Sequence, residues 1–350
     1  MYSFADLAIF DRQPASVGVL LSDIDTGRGR QELFADQVPE LLSALATQTR
    51  VASIRASNAI EGIDVDEDRA QALDKADARL RNRNEQEFAG YRDAIDGLMS
   101  RPTEEPISVP LVLSLHRQIY FYSGGRGGNL KTDDNLIVRY GDDGRRIVVF
   151  EPPPWQQTEG LLTELVDRYN NAQAERVAHP IVLLASFVLD FLAIHPVADG
   201  NGRVARLLTT SELLRLGYDV ARYVSVEQRI YESKNTYYAA LRQSQEQWRD
   251  GKHDIWPWTT YLVQVLTESY KDFEDRVAAG RENSTMNKQE RVQHHVLHVG
   301  PAEFRLRDLR RALPGISDPT FRLALAELRD QGLVVVEGVG PGAVWKRLHH

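Results

Sequence analysis

A run of fourteen mostly apolar residues, IVLLASFVLDFLAI from Ile181 to Ile194, is followed at once by the polar stretch HPVADGNGRVAR. A second helical pattern, LLTTSELLRLG, begins where that stretch ends. The apolar run is too short to cross a bilayer and contains Asp190, so we expect a helix buried in a globular core. The chain therefore places a polar, glycine-rich junction between two buried helices, which packing alone rarely requires.

The junction has the features of an anion-binding turn. Gly200 and Gly202 bracket Asn201 where the second helix begins, so backbone N–H groups without partners inside the helix can face an anion. The positive end of the helix dipole adds to this attraction. Arg203 and Arg206 are three residues apart, hence on one face of that helix, and a guanidinium fork suits phosphate oxygens. The pattern predicts a phosphate site.

Two further residues of the junction are suited to chemistry at a phosphate. Asp199 precedes the turn and offers the hard oxygen ligand that Mg²⁺ prefers. His195 ends the apolar helix, and a histidine ring titrates near neutral pH, so it can accept a proton from an attacking hydroxyl. The alternative is a helix-loop-helix turn with a capping histidine and surface arginines. The coincidence of eight suitable positions in twelve residues favours the functional interpretation.

This stretch resembles the signature of the Fic family, His-Pro-Phe-x-(Asp/Glu)-Gly-Asn-Gly-Arg-x-x-Arg, with Val197 where the family usually has phenylalanine. We expect Val197 to face the core, so the change concerns packing more than chemistry. Fic proteins typically transfer AMP from ATP to a hydroxyl of a target protein, with Mg²⁺ and release of pyrophosphate. The resemblance covers roughly residues 111–249, and more weakly the helical region before them.

By position, the resemblance implies a role for each residue of the motif. His195 would be the general base for the target hydroxyl, and Asp199 would hold Mg²⁺ or Mn²⁺. The phosphates of ATP would be bound by Gly200, Asn201, Gly202, Arg203 and Arg206, with Arg206 on the γ-phosphate. The implied partners are ATP and a protein that offers a tyrosine, serine or threonine hydroxyl, and the protein itself is a candidate target.

Two segments outside the motif extend the resemblance. GGNLKTDDNLIV and the β-type runs LIVRY and RRIVVF, joined by GDDG, resemble the family's flap, which holds an extended target segment at a strand edge. The family commonly has Arg and Trp where this chain has Lys131 and Leu136, and an ordinary hairpin is the alternative. ESKNTYYAALRQ resembles the helix beside the adenine, with Asn235, Tyr237 and Tyr238 as candidates, although paired tyrosines are more often core residues.

An earlier helical segment, VASIRASNAIEGI, resembles the family's inhibitory motif, (Ser/Thr)-x-x-x-Glu-(Gly/Asn). Ser57 and Glu61 are four residues apart on a predicted helix, and Gly62 can end it. The resemblance implies an autoinhibited protein in which Glu61 binds Arg206 in place of the γ-phosphate of ATP. The same carboxylate could instead orient water that removes AMP from a modified target. A solvated helix face with a C-cap is the alternative.

The spacing of apolar residues predicts a mainly α protein: a Fic-type helical bundle with a small β-hairpin flap, followed by a C-terminal winged helix-turn-helix domain. Helices are expected within residues 32–99 and at 111–120, 158–171, 180–194, 203–216, 233–248 and 258–279, with a linker in GRENSTMNKQE. We divide the chain into an N-terminal helical region (1–105), the catalytic core and following helices (106–280), and the linker with the winged helix (281–350).

Composition limits the class of protein. The chain has no cysteine, which excludes disulfides and thiolate metal sites and fits a reducing compartment, and its start lacks the pattern of a signal peptide. We therefore expect a cytoplasmic protein with no membrane association. A homodimer is an open alternative for the oligomeric state. A net charge of −8 argues against wholesale binding of nucleic acid.

Two rival functions stay open at this stage. Some Fic-like proteins transfer phosphate or other nucleotide-derived groups, but those often depart from the Gly-Asn-Gly-Arg segment that is intact here. The other rival is a DNA-binding transcriptional regulator that uses the Fic core as a nucleotide sensor. From Lys288 to Arg347 there are ten Lys or Arg against seven Asp or Glu, with Arg322 and Arg329 as candidate DNA contacts, although a domain that contacts protein is the alternative.

Overall fold

The computed structural model describes residues 3–35, 39–75, 78–100, 104–124, 127–140, 145–285, 287–313, 315–338, 340 and 343–348. These residues form a mainly helical protein with two small antiparallel sheets. Contacts between Cα atoms divide the chain into two compact units, Met1–Glu274 and Asp275–His350. Among the described residues, none of the helices combines the length and the apolar character that a membrane crossing requires.

Before the hairpin, the described residues of the first unit form five α-helices and two short 3-10 helices (Leu7–Arg12 and Phe121–Ser123). The α-helices are α1 (Ala15–Ala35), α2 (Pro39–Ile60), α3 (Glu67–Asp74), α4 (Arg83–Ser100) and α5 (Val109–Ile119). The start of α5 follows from its sequence, because the Ser108 side chain accepts a hydrogen bond from the Leu111 N–H and a proline stands in the first turn. Most of α1 precedes the region in which helical spacing is recognisable.

A β-hairpin follows, formed by β1 (Ile137–Tyr140) and β2 (Arg146–Phe150) in antiparallel register, with Val138 opposite Val148. This is the hairpin that the sequence predicts, and its pairing leaves one edge of each strand without a neighbour in the two-stranded sheet. The GDDG turn that joins the two runs lies outside the described residues.

Seven helices complete the first unit. They are α6 (Thr158–Glu175), α7 (Pro180–Ile194), α8 (Asn201–Arg215), α9 (Val220–Tyr223), α10 (Val226–Glu232), α11 (Lys234–Gln245) and α12 (Trp256–Thr285), the last of which crosses into the second unit. Every residue of α7 after its first proline is buried, which confirms the core helix predicted from the apolar run. The short helices α9 and α10 are not among the predicted elements.

One prediction about α12 is wrong. The sequence analysis ends this helix at residue 279 and assigns a linker from residue 280, but the helix continues to Thr285 and another begins at Lys288. The segment is polar but contains no proline, and its Gln and Glu residues favour helix, so polarity alone does not indicate a loop here.

The second unit contains α13 (Lys288–His294), one π-helical turn (His295–Val299), β3 (Glu303–Phe304), α14 (Leu306–Ala312), α15 (Asp318–Asp330), β4 (Val334–Glu337) and β5 (Val344–Arg347). The strands form an antiparallel sheet in the order β3-β5-β4. Its core contains Phe304, Leu309, Phe321 and Leu325. In this segment RLRDLRRAL and DPTFRLALAELRDQG are predicted as helices, and LVVVEGVGPGAVWKRL as a pair of strands with Gly-Pro-Gly at its tip. These helices and strands are present, α13 and β3 are additional, and Pro341 and Gly342 of the tip lie outside the described residues.

A buried carboxylate in the middle of α7 anchors the chain near its start. Asp190 accepts hydrogen bonds from the backbone N–H and the hydroxyl of Ser3, at 2.8 and 2.9 Å, and from Trp248 Nε1 at 2.7 Å. Burial raises the pKa of Asp190 to about 6, although these three hydrogen bonds favour the ionised form. The folded protein therefore binds this proton more tightly than the unfolded chain does.

This proton makes a testable contribution to stability. Because the pKa of Asp190 is higher in the folded state, its contribution is full below about pH 4 and is lost as the pH rises through about 6. Asp190→Asn removes this dependence, so the difference in free energy of unfolding between the native protein and the variant should shrink by up to about 3 kcal/mol from pH 4 to pH 7. Urea denaturation measures it, with Asp11→Asn as an exposed control; a constant difference would contradict the argument.

Candidate functional site

The histidine of the junction is fixed by its own helix end. His195 has a φ of 52°, in the left-handed region that is uncommon for a residue other than glycine, and its N–H donates to the Phe191 carbonyl at 3.0 Å. Its Nδ1 lies 3.2 Å from the Leu192 carbonyl oxygen. Because a carbonyl can only accept, Nδ1 carries the proton in this contact and Nε2 is left as the acceptor.

Burial lowers the pKa of His195 to about 4, and nearby Lys131 acts in the same direction, whereas the hydrogen bond to Leu192 opposes it. The ring is therefore neutral at physiological pH. A neutral imidazole with a free Nε2 has the form that a proton acceptor requires.

The loop after His195 is held by the side chain of Asn201. Its Oδ1 accepts from the Val197 N–H at 3.0 Å, and its Nδ2 donates to the Val197 carbonyl at 2.7 Å. Gly200 has a φ of 85°, and a Cβ there would lie 3.1 Å from the Tyr120 ring and hydroxyl, so glycine is favoured on both counts. Both polar ends of the Asn201 side chain are thus used within the loop, and Val197 is fully buried, as expected.

The first turn of α8 offers free amide groups. The first backbone hydrogen bond of this helix runs from the Val204 N–H to the Gly200 carbonyl at 3.0 Å. The N–H groups of Asn201, Gly202 and Arg203 precede it and have no acceptor inside the helix. These three donors lie at the positive end of a fifteen-residue helix, as the sequence analysis expects for an anion site.

Arg206 is buried, with 4% of its side chain exposed, and is bound by α2. Its Nε donates to the Ser57 hydroxyl at 2.8 Å, and its Nη2 donates to the Ser57 carbonyl at 3.0 Å and to Glu61 Oε1 at 2.8 Å. Burial opposes the charge, but Glu61 beside it raises the pKa of Arg206 above its usual value. The structure therefore brings Arg206 together with Ser57 and Glu61, which lie 149 and 145 residues before it in the chain.

The Glu61 carboxylate also lies against the start of α8. A Cβ on Gly202 would collide with Glu61 Oε1, so this position accepts the carboxylate because it is glycine. Gly62 follows, and its N–H donates to the Ala59 carbonyl at 3.1 Å where α2 ends. In this structure a protein carboxylate thus occupies the space beside both the free amides and the Arg206 guanidinium.

Arg203 is buried and engaged with α4 and α5. Its Nη1 lies 2.7 Å from Glu87 Oε2, its Nη2 donates to the Tyr120 hydroxyl at 2.6 Å, and its guanidinium stacks over the Tyr120 ring at 5.1 Å. Arg203 is 1% exposed. The sequence analysis assigns this side chain to a phosphate, whereas here its charge is compensated by Glu87.

Asp199, by contrast, is at the surface. Its Oδ1 accepts from the Gly200 N–H at 2.8 Å, and its Oδ2 forms an ion pair with Arg83 Nη2 at 3.2 Å. Both side chains of this pair are 64% exposed. The Arg83 guanidinium also pairs through Nε with the buried Glu87 carboxylate. Asp199 is therefore largely open to solvent although it is paired with Arg83.

At the base of the hairpin, Lys131 is buried and fully bonded. Its ammonium donates to Asn135 Oδ1 at 3.1 Å, to the Pro153 carbonyl at 3.0 Å and to the Ile194 carbonyl at 3.2 Å. Burial lowers the pKa of Lys131 to about 8. Leu136, just before β1, is exposed. Lys131 thus joins the hairpin to the end of α7 and has no hydrogen left for a further partner.

The α11 residues divide between core and surface. Tyr237 is buried and packs its ring against Trp258 and Tyr261, while Tyr238 and Asn235 are exposed. Lys234, the first residue of α11, donates to the Ile60 carbonyl at 2.7 Å. The helix that the resemblance assigns to the adenine is therefore bonded to the end of the helix that precedes Glu61.

Residues 106–213, which include α5 to most of α8, match the family model described as Fic/DOC family. The chain carries a Fic/DOC family domain. The junction, the hairpin and the core helix α7 all fall within this Fic domain, whereas α2, α4 and α11 lie outside the matched residues.

Named relatives share part of this chain. The protein adenylyltransferase Fic of Drosophila yakuba is 33% identical over 164 residues, which are 47% of this chain and 28% of that protein. Its Drosophila melanogaster counterpart is 36% identical over 113 residues, 32% of this chain and 21% of that protein. The chain thus spans about a quarter of the length of the relatives that it matches.

Solved structures share the fold. A Fic family protein from Desulfovibrio desulfuricans G20 superposes with a TM-score of 0.62 at 22% identity, over 97% of both chains. Fic-1 from C. elegans superposes with a TM-score of 0.58 at 19% identity, over 75% of this chain and 74% of that one. At these identities the likeness establishes the Fic fold around the junction.

Some residues of the site escape a reading of the sequence. Glu87 compensates the charge of Arg203, and Tyr120 accepts a hydrogen bond from it. Arg83 pairs with Asp199. These partners lie on α4 and just after α5, far from the motif in the sequence. A local signal exists for one pair, because Arg83 and Glu87 are four residues apart on a helix. Such pairs are common on helix surfaces, so the spacing alone does not indicate a site.

The loop clamp by Asn201 generates a prediction. Asn201→Ala leaves the buried Val197 N–H without a partner and removes one of the two donors to the Val197 carbonyl, which keeps Asn135 Nδ2 at 3.3 Å. It should therefore lower the free energy of unfolding by about 1–3 kcal/mol. Asn235→Ala, at an exposed position of α11, is the matched control and should stay within about 0.5 kcal/mol of the native protein. Urea denaturation provides both values, and equal effects of the two changes would refute the clamp.

Proposed function

We propose that the protein transfers AMP from ATP to a hydroxyl group of a protein target. The observation that carries the proposal is the convergence, at one junction of a Fic domain, of a neutral His195, three free amide groups of α8, the Arg206 guanidinium and the Asp199 carboxylate. The relatives named protein adenylyltransferase support it for the part of the chain that they cover.

The residues of the junction suit each part of this reaction. His195 Nε2 would take the proton of the target hydroxyl as its oxygen forms a bond to the α-phosphorus. The bond from the α-phosphorus to the bridging oxygen then breaks, and pyrophosphate leaves. The free amides of Asn201, Gly202 and Arg203 would hold phosphate oxygens, and Arg206 would bind the γ-phosphate.

The donor set fits Mg²⁺ or Mn²⁺. Asp199 supplies one solvent-accessible carboxylate, and Mg²⁺ in nucleotide sites is commonly held by one or two carboxylates together with substrate phosphates. When bound, such an ion neutralises charge on the phosphates. The protein's own contribution is to keep the Asp199 carboxylate at the start of the phosphate turn through its bond to the Gly200 N–H.

We further propose that Glu61 holds this activity low. Its carboxylate pairs with Arg206 and fills the space above Gly202, so the γ-phosphate has to displace it. A nucleotide that binds without doing so has its phosphates misplaced, and an error of about 1 Å can cost roughly 100-fold in rate. Orienting water for the removal of AMP is a second role open to the same carboxylate.

A four-variant comparison tests both proposals. Glu61→Gly should raise incorporation of label from ATP labelled at the α-phosphate by about 10- to 100-fold, because Arg206 is released. Arg206→Ala should lower it in either background, and the two effects should not add, since the carboxylate acts through Arg206. Incorporation into the protein itself and into a lysate is measured with Mg²⁺.

Two controls keep the comparison specific. His195→Ala in the Glu61→Gly background should abolish incorporation, because the proton acceptor is lost. ATP labelled at the γ-phosphate should leave no label on protein, whereas such label would identify phosphate transfer and overturn AMP transfer. A Glu61→Gly variant no more active than the native protein would overturn the inhibition.

A second candidate function concerns the C-terminal unit. We propose that it is a winged helix, which is supported by the succession of α14, a turn, α15 and the antiparallel pair β4 and β5. In that fold α15 would face the DNA. Arg310, Arg329 and Lys346 pair with acidic residues, so these three cations are less available for phosphate contacts. DNA binding is therefore the weaker of the two functions that the chain supports.

Charge reversal tests the DNA proposal. Arg322→Glu combined with Arg329→Glu should abolish retention on DNA fragments at low salt, because phosphate contacts dominate such binding. Arg12→Glu combined with Lys252→Glu changes the net charge equally at exposed positions of the first unit and should leave retention unchanged. Equal losses for both pairs, or no retention of the native protein, would contradict a specific role of α15.

A further inference from the structure

We propose that Arg83, on α4 and outside the Fic motif, is an additional ligand for the phosphates of the nucleotide. The inference rests on the proposed nucleotide site at the junction. It assigns to the residues before the Fic domain a direct part in binding the substrate, because α4 lies outside the segment that matches the family.

Arg83 adds positive charge to a junction whose other arginines are engaged. A nucleoside triphosphate carries about four negative charges, and a divalent cation offsets two of them. Arg203 is buried and contributes its charge to Glu87, while its Nη2 is occupied by the Tyr120 hydroxyl. Arg206 serves one end of the phosphate chain once Glu61 leaves it. A further cation at the open side of the junction would complete the compensation.

Arg83 lies beside Asp199, directly before the turn that starts α8. Its Nη2 lies 3.2 Å from Asp199 Oδ2, and the other oxygen of that carboxylate accepts from the Gly200 N–H. The guanidinium is thus one carboxylate away from the turn that presents the free amides of α8. Its side chain is 64% exposed, so the group is accessible to a ligand from solvent.

The Arg83 side chain is held in position by Glu87 before any ligand binds. Glu87 is buried and pairs with Arg83 Nε on one oxygen and with Arg203 Nη1 on the other. The arm of Arg83 is therefore fixed at Nε, while the nitrogens at its end are directed to the Asp199 side. A guanidinium held in this way loses little freedom when it binds a phosphate, and its fork matches two phosphate oxygens.

The competing interpretation is that Arg83 blocks Asp199 from a metal ion. An ion pair between two largely exposed side chains contributes little, because water and salt screen it. Asp199 can therefore exchange Arg83 for a divalent cation at small cost. The present pair is a single contact at 3.2 Å, whereas a phosphate can accept two hydrogen bonds from the two terminal nitrogens, so the balance favours a ligand over a block.

Nucleotide binding, measured without any transfer step, tests the proposal. Titration calorimetry with ATP and Mg²⁺ on the full-length Glu61→Gly protein gives the reference affinity. Arg83→Gln should weaken ATP binding about tenfold and leave adenosine binding unchanged, and Arg83→Lys should lie between because it keeps the charge but not the fork. Arg79→Gln, at a nearby exposed arginine, is the matched control and should behave as the reference.

The outcomes separate this proposal from the one on which it rests. Unchanged ATP affinity in Arg83→Gln, or a higher one, overturns the role of Arg83; a higher one identifies it as a counter-ion that competes with the metal. A loss of adenosine binding equal to that of ATP means a distorted site and likewise overturns it. If the reference protein binds no ATP, the nucleotide site itself is refuted and both proposals fail, whereas ATP binding without AMP transfer refutes the transfer alone.

Discussion

The charge of Arg206 is the constraint around which the centre of the molecule is arranged. A guanidinium buried to this extent is costly unless it is paired and hydrogen-bonded; α2 supplies the hydroxyl and carbonyl of Ser57, and Glu61, the residue after α2, supplies the carboxylate. The docking of α2 is reinforced by the Ser53 hydroxyl, which donates to the buried Glu227 carboxylate of α10 at 2.8 Å. The helix that precedes the Fic domain is thus held to it by polar contacts inside the core, where each contact has few alternatives.

A second buried group, Glu87, organises the opposite side of the junction. It compensates Arg203 from within α4 and fixes the arm of Arg83, which in turn meets Asp199. His116 lies in the same region, and its Nδ1 accepts a hydrogen bond from the Gly128 N–H at 3.0 Å. Burial lowers the pKa of His116 to about 4, so its ring is neutral and adds no positive charge. The two sides therefore differ in charge, because the Glu61 carboxylate, just after α2, is negative and the Arg83 guanidinium, on α4, is positive.

Sequence reasoning works where the chemistry is local. The apolar run predicts α7 with its observed bounds, and the glycines and arginines of the junction predict the turn and the start of α8. It fails where a partner lies far along the chain: nothing near Arg203 indicates Glu87, and nothing near Asp190 indicates Ser3, which is 187 residues away. It also fails where polarity is taken for a loop, as in α12. The assignment of Arg203 to a phosphate rests on its position in a motif and stays a prediction, while the structure pairs this guanidinium with Glu87.

The hydrogen bond from Lys234 to the Ile60 carbonyl links α11 to the end of α2, directly before Glu61. The bond joins the last residue of α2 to the first residue of α11, so the Glu61 carboxylate beside Arg206 and the helix that the resemblance assigns to the adenine share one support. If nucleotide binding and departure of Glu61 are coupled through it, the coupling has to be reciprocal. A partner protein that pulled Glu61 away would then tighten nucleotide binding by the same factor by which the nucleotide eases that departure, without touching the nucleotide itself.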